Sequence, residues 1–158
     1  MDLDFKIYIN RAKNEINLSK MIMKISVDDD LQKNIFNLPN DTYYSAVISH
    51  AYYSIFYMTK AYLLTKNIKT KAPEEHRKTY EEFKKLVEKG FVDVELLKIY
   101  QQIMIKADTL LEIFQYEKSK RGKFTYKKLP QANFEPAKDS LKNAEEFFKH
   151  VNNLCFKK

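Results

Sequence analysis

The chain has 158 residues, of which 44% are hydrophobic and 31% are charged, and its formal net charge is +7. A chain of this length is expected to form one domain, residues 1–158, with a hydrophobic core that needs no disulfide or metal. Cys155 is the only cysteine, which excludes an internal disulfide. Gly90 and Gly122 are the only glycines and stand far apart, so the glycine-rich loops of P-loop and dinucleotide-binding proteins are excluded as well.

The first predicted helix covers residues 2–27. Its apolar residues recur at steps of three and four and form a stripe of Phe5, Ile9, Ala12, Ile16 and Met23. Residues 1–10 include three charged side chains and lack the apolar core of a signal peptide, so we expect a cytoplasmic protein. Residues 28–40 are rich in Asp and Asn and predict a loop, with a short turn at residues 31–36.

Residues 41–65 predict the central helix of the fold. No Asp, Glu, Lys or Arg lies between Asp41 and Lys60, and apolar residues occupy most of the circumference. Such a helix is buried on several sides, so we expect other helices, and in part a second copy of the chain, to cover it. Its tyrosines and His50 favour a buried helix over a membrane span. Asp41 is predicted to cap its start, and Asn67 to end it in the left-handed conformation.

Three further helices are predicted at about residues 74–89, 93–117 and 134–154. Gly90 is expected to end the first of these, Asp93 to cap the second and Pro136 to occupy the first turn of the third. Val94 is expected to begin the inner face of the second. No segment has the alternation of a β-strand, so the predicted fold is all-α, an up-and-down bundle of about five helices.

The segment from Lys118 to Lys128 combines basic and aromatic residues. Its cations are Lys118, Lys120, Arg121, Lys123, Lys127 and Lys128, and Phe124 and Tyr126 lie among them. Lysine and arginine neutralise phosphates, and aromatic rings stack on unpaired bases. The segment therefore indicates a phosphate-binding surface or, alternatively, an exposed loop whose rings pack back onto the bundle.

The three histidines do not form a metal-binding pattern. None of them has a Glu three residues earlier, as helical di-iron sites require, and no metal or cofactor is predicted. His50 on the central helix is interpreted either as a group that reaches an interface or cleft, or as a satisfied core residue. His76 is interpreted as part of a solvated first turn.

The segment from Tyr43 to Leu64 resembles the HEPN family (higher eukaryotes and prokaryotes nucleotide-binding domain). Ala51-Tyr-Tyr-Ser-Ile-Phe56 is similar to the Ala-Tyr-Tyr-x-x-Phe signature of its small prokaryotic branch. The likeness extends over about residues 5–152, through Lys69, Lys71, His76, Arg121, Tyr126, Ala137 and Ala144-Glu-Glu-Phe147. The resemblance implies a helical bundle that forms a homodimer, and a minimal nucleotidyltransferase as partner in a toxin–antitoxin pair.

The resemblance also implies metal-independent RNase activity, which many members perform with an Arg followed after four to six residues by a His. Here Arg121 is present, but Tyr126 replaces the His, and a phenol with a pKa near 10 is a poor base at neutral pH. We therefore expect a dimeric nucleotide- or RNA-binding protein. Its ligand cleft would be lined by Arg121, Tyr126 and the flanking Lys118, Lys120, Lys123 and Lys127, with His50 as a secondary candidate. Two alternatives stay open: an endoribonuclease using Arg121 with Tyr126 or a displaced His, and a purely structural interaction module.

Overall fold

The computed structural model describes residues 3–111 and 133–157. They form α1 (Leu3–Val27), a single π-helical turn (Leu31–Ile35), α2 (Tyr44–Thr65), α3 (Glu75–Glu88), α4 (Val94–Leu111) and α5 (Phe134–Phe156). Within these residues there is no strand, and the predicted all-α bundle of five helices is confirmed. The predicted end of the fourth helix at residue 117 lies outside the described residues.

Helix α2 is the centre of the bundle. It packs against all four other helices, most extensively against α1 and α5. Its fully buried side chains include Val47, Tyr52, Met58, Ala61 and Leu63. Because these residues lie on different sides of the helix, only neighbours on several sides can remove them from water. The predicted central helix is therefore confirmed.

Helices α2 and α3 end in the same way. Asn67 and Gly90 follow their last turns with φ angles of 58° and 80°, in the left-handed region. The next residues, Ile68 and Phe91, donate their backbone N–H groups to the carbonyls of Leu63 and Leu86 at 2.9 and 3.0 Å. These bonds satisfy carbonyls that have no partner inside the helix, as in a Schellman motif. Both predicted helix ends are confirmed.

The predicted cap of α2 at Asp41 is wrong. The helix begins at Tyr44, and the Asp41 carboxylate accepts a hydrogen bond from the N–H of Thr42 at 2.7 Å instead. The backbone of Asp41 is held by the buried side chain of Gln32, whose amide bonds both its N–H and its carbonyl, at 2.8 and 2.9 Å. The start of α2 is thus fixed by the preceding loop and not by an acidic cap.

The start of α4 confirms one prediction and corrects another. Asp93 caps the helix, because its Oδ1 accepts the N–H of Glu95 at 2.9 Å. Val94, predicted to face inward, is 52% exposed, and the buried residues of α4 begin at Leu96 and Leu97. The first residue of the helix lies beside the exposed cap, before the helix reaches the core.

None of the described helices combines the length and the apolar composition that a bilayer crossing requires.

Pro136 lies in the first turn of α5, as predicted.

Candidate functional site

The predicted basic segment lies outside the residues that the structure describes. This applies to Lys118, Lys120, Arg121, Lys123, Tyr126 and Lys127. Among the predicted site residues His50 is described, and it lies on the second turn of α2.

His50 belongs to a line of polar and aromatic side chains between α1 and α2, which we call the α1–α2 seam. It comprises Tyr8, Arg11 and Glu15 on α1 and His50, Tyr53, Tyr57 and Lys60 on α2. The spacing of three and four places each set on one face of its helix. All of them except Lys60 are at least partly exposed, so the seam is open to a ligand or a partner.

His50 and Glu15 form a hydrogen bond across the seam. The imidazole Nδ1 lies 2.6 Å from Glu15 Oε2, and the two side chains are 28% and 23% exposed. In the described part of the chain, His50 Nε2 has no hydrogen-bond partner. A carboxylate on Nδ1 fixes the ring orientation and the tautomer, so that Nε2 can accept a proton from a bound group. The pair is thus suited both to tie two helices together and to transfer a proton.

His76 is the feature that sequence reasoning missed. Its Nδ1 lies 2.9 Å from the hydroxyl of Tyr52, and its ring stacks on Phe56 with the ring centroids 4.0 Å apart. Burial, with a smaller contribution from the charge of Lys60, lowers the pKa of His76 to about 4. The interpretation of His76 as part of a solvated first turn is therefore wrong. The signals in the sequence were the place of His76 in the family likeness and the pair Tyr52 and Phe56, which lie one turn apart on α2.

The tautomer of His76 follows from its partner. Burial raises the pKa of Tyr52 far above its ordinary value, so the phenol stays protonated and donates its O–H to Nδ1. The proton of the neutral imidazole is then on Nε2. His76 also meets the seam directly, since its ring lies edge-to-face with Tyr53 at a centroid distance of 6.0 Å.

Aromatic rings continue the seam beyond Tyr53. Tyr57 stacks on Tyr53 and on Tyr8, with centroid distances of 6.4 and 6.3 Å. The guanidinium of Arg11 lies 5.4 Å from the centre of the Tyr57 ring and donates to its hydroxyl at 3.4 Å. Cation–π contact of this kind holds an exposed cation in place over a ring. The seam therefore offers an oriented Arg beside three tyrosines.

The described residues support neither a metal site nor a reactive cysteine. No group of three or more His, Cys, Asp or Glu side chains among them could hold a metal ion. Cys155 is buried, and burial raises the pKa of its thiol to about 12. Because the thiolate is the reactive form, Cys155 behaves as a packed structural thiol at neutral pH.

The sequence profile of the HEPN domain matches residues 28–154. This range covers most of the chain, including α2, α3 and α4. The chain belongs to the HEPN family. Helix α1, which supplies half of the α1–α2 seam, precedes the range that the profile matches.

A curated relative shares a shorter stretch with this HEPN protein. Over 92 residues the chain is 36% identical to a protein of Methanocaldococcus jannaschii named "Putative toxin MJ0142". The stretch covers 58% of this chain and 57% of the relative. The chain therefore matches little more than half of the length of that protein.

Proposed function

We propose that this HEPN protein is a toxin-like, dimeric component of a toxin–antitoxin pair that binds a nucleotide or RNA. Its partner would be a minimal nucleotidyltransferase. The observation that carries the proposal is the HEPN profile match over residues 28–154, which includes the basic segment. The likeness to a protein named as a toxin supports the same class of function.

The proposed ligand site is the basic segment. Arg121 would hold a phosphate group through paired N–H donors, and Lys118, Lys120, Lys123 and Lys127 would add attraction for the anion. Tyr126 would donate a hydrogen bond from its hydroxyl, or would accept a nucleotide from the partner transferase. His50 is a secondary candidate for contact with the ligand, because it lies in the α1–α2 seam, is partly exposed and is oriented by Glu15 through Nδ1.

Replacing Arg121 tests this site. Arg121→Ala should weaken binding of ATP or of a short single-stranded RNA by about tenfold or more, because a charge-assisted hydrogen bond to phosphate is lost. A fluorescence titration measures the affinity, and thermal unfolding should be unchanged. Arg77→Ala is the matched control, since Arg77 is exposed and, among the described residues, pairs with the neighbouring Glu74 at 3.3 Å. Equal affinities of wild type and Arg121→Ala would show that Arg121 is not part of the ligand site.

A second candidate function is favoured by the pair of His50 and Glu15. A metal-independent endoribonuclease needs a base that takes the proton of the 2′-hydroxyl near neutral pH, and Tyr126 is poorly suited to that task. His50, oriented by Glu15 at 2.6 Å, has the chemistry of such a base. Arg121 would stabilise the charge that develops on the phosphate.

RNA cleavage in the presence of a chelator tests the second candidate. Cleavage by the wild type should persist in chelator and fall by about 100-fold or more in His50→Asn, because a positioned base contributes rate factors of this size. Glu15→Gln should lower the rate as well, since a neutral amide no longer stabilises the imidazolium that forms when His50 takes up the proton. His150→Asn, at an exposed position on α5, is the control. A wild type that binds RNA without cleaving it would reject this candidate and leave the binding proposal standing.

A further inference from the structure

A cleft opens where the N-terminus of α1, the last turns of α2, the linker of residues 66–74 and the start of α3 meet. Its volume is about 320 Å³, which suits a small ligand. Its polar wall is made by Asp4, Tyr8, Lys60, Lys69, Lys71 and Glu75. The cleft lies at the end of the α1–α2 seam and shares no residue with the basic segment around Arg121.

Lys60 is the distinctive residue of this cleft. It is only 7% exposed, yet it lines the open space. Its ammonium group pairs with the carboxylate of Glu75, donates to the carbonyl of Thr70 at 3.3 Å and lies 4.7 Å from the centre of the Tyr8 ring. A purely structural role would be to tie α2 to the linker and to α3, although a buried ion pair is a costly way to do so.

The balance of charge around the cleft favours an anion. Three lysines face two carboxylates: Glu75 pairs with Lys60, and Asp4 lies 3.9 Å from Lys69. Lys71 adds a further positive charge at the exposed rim. On its other side the same linker borders a second cleft with another cation, Lys78, whose ammonium donates to the carbonyl of Lys71 at 3.3 Å. The linker is thus positively charged on both sides.

The environment of Lys60 also shows how an anion could enter. Glu75 is about one third exposed, so its carboxylate can turn toward water and leave Lys60 to another acceptor. The ring of Tyr8 already lies against the ammonium and would contact whatever is attached to the bound anion. A phosphate provides several acceptor oxygens, enough to contact Lys60, Lys69 and Lys71 together.

We propose that the Lys60 cleft binds a phosphate group carried by a nucleotide or by RNA. Lys60, Lys69 and Lys71 are its cationic contacts, and Glu75 occupies the position of the phosphate when no ligand is bound. This site goes beyond the proposed function, because it is built from residues that the proposed Arg121 site does not use. In this proposal Lys60 contacts the phosphate and Glu75 competes with it. Substitutions at the two residues should therefore change the binding affinity in opposite directions.

Binding of inorganic phosphate, ATP and a short single-stranded RNA, measured by calorimetry at low ionic strength, tests the proposal. Lys71→Ala should weaken binding by about tenfold, and Lys60→Met by more, because each loses a charge-assisted contact. Glu75→Gln should tighten binding severalfold, since it removes the competing carboxylate. Lys98→Ala, which removes the same charge from an exposed lysine on α4 that pairs with Glu95, should bind like the wild type.

The outcomes distinguish the Lys60 cleft from the Arg121 site of the proposed function. Tighter binding by Glu75→Gln together with weaker binding by Lys71→Ala supports the cleft, and preferential binding of ATP or of RNA identifies the carrier of the phosphate. If Lys60→Met fails to fold, Lys71→Ala and Glu75→Gln still decide the question. Binding that is lost in Arg121→Ala but unchanged in Lys71→Ala and Glu75→Gln overturns the cleft and leaves the proposed function intact. No binding of any of the three ligands overturns both.

Discussion

His76 illustrates how side chains distant in sequence determine the chemistry of a residue. It lies in a charged stretch at the start of α3, which by itself indicates exposure to water. In the fold it meets Tyr52 and Phe56, which lie more than 15 residues earlier on α2. The same is true of His50, whose partner Glu15 is on α1. Residue type and local spacing could place both histidines on helices, but only the packing of the helices shows their partners.

The altered pKa of His76 predicts a pH dependence of stability. In the unfolded chain His76 takes up a proton near pH 6.5, and in the fold only near pH 4. Between these values the unfolded state binds more protons, so the free energy of unfolding should fall as the pH drops from 6.5 toward 4. Chemical unfolding of wild type and His76→Asn at about pH 7 and about pH 5 measures the difference.

His76→Asn should show a smaller loss of stability on acidification than the wild type. Tyr52→Phe should lie between them, because it keeps the burial of the imidazole but removes the hydroxyl that donates to Nδ1. An identical pH dependence in wild type and His76→Asn would show that His76 is not held neutral by the fold.

At the scale of the elements, the predicted ends of α2 and α3 were right, whereas the predicted start of α2 was wrong. Asn67 and Gly90 adopt the left-handed conformation that their residue types tolerate, and this conformation is a local property of the chain. The start of α2 is different, because Ser26 accepts the N–H of Tyr43 at 2.9 Å and Gln32 holds Asp41. These bonds join residues that are 9 to 17 positions apart, so a local capping rule pointed to the wrong residue.

The side chain of Gln32 is expected to stabilise the loop between α1 and α2. It is fully buried and bonds the N–H and carbonyl of Asp41 and the carbonyl of Ile25. Gln32→Leu should lower the free energy of unfolding by about 1 to 3 kcal/mol, because it leaves partly buried backbone groups without their partner. Gln102→Leu, at an exposed position on α4, is the control and should change it little. Equal stabilities of the two variants in a denaturant titration would contradict this role.

At the scale of the whole molecule, the central position of α2 was predictable because a helix that is apolar over most of its circumference must be covered on several sides. The α1–α2 seam was not predictable, since its pairs depend on how α1 packs against α2. Its α1 half also lies outside the range that the HEPN profile matches. The seam is therefore a feature of this chain that the family match alone does not describe.

The net charge of +7 and the proposed phosphate contacts lead to one expectation for the intact protein. Because cationic side chains release counterions from nucleic acid, RNA affinity should fall steeply as salt is raised. A substitution that removes a phosphate contact should lower both the affinity and this dependence on salt.

The decisive experiment is to incubate the purified protein with labelled single-stranded RNA in a chelator, beside Arg121→Ala, and to read binding and cleavage on one native and one denaturing gel. We predict a retarded complex with the wild type that is lost or strongly weakened in Arg121→Ala. Cleavage by the wild type would add the RNase function to this result. A wild type that retains no RNA, or an Arg121→Ala variant that retains it equally well, would contradict the proposal that this HEPN protein binds RNA through Arg121.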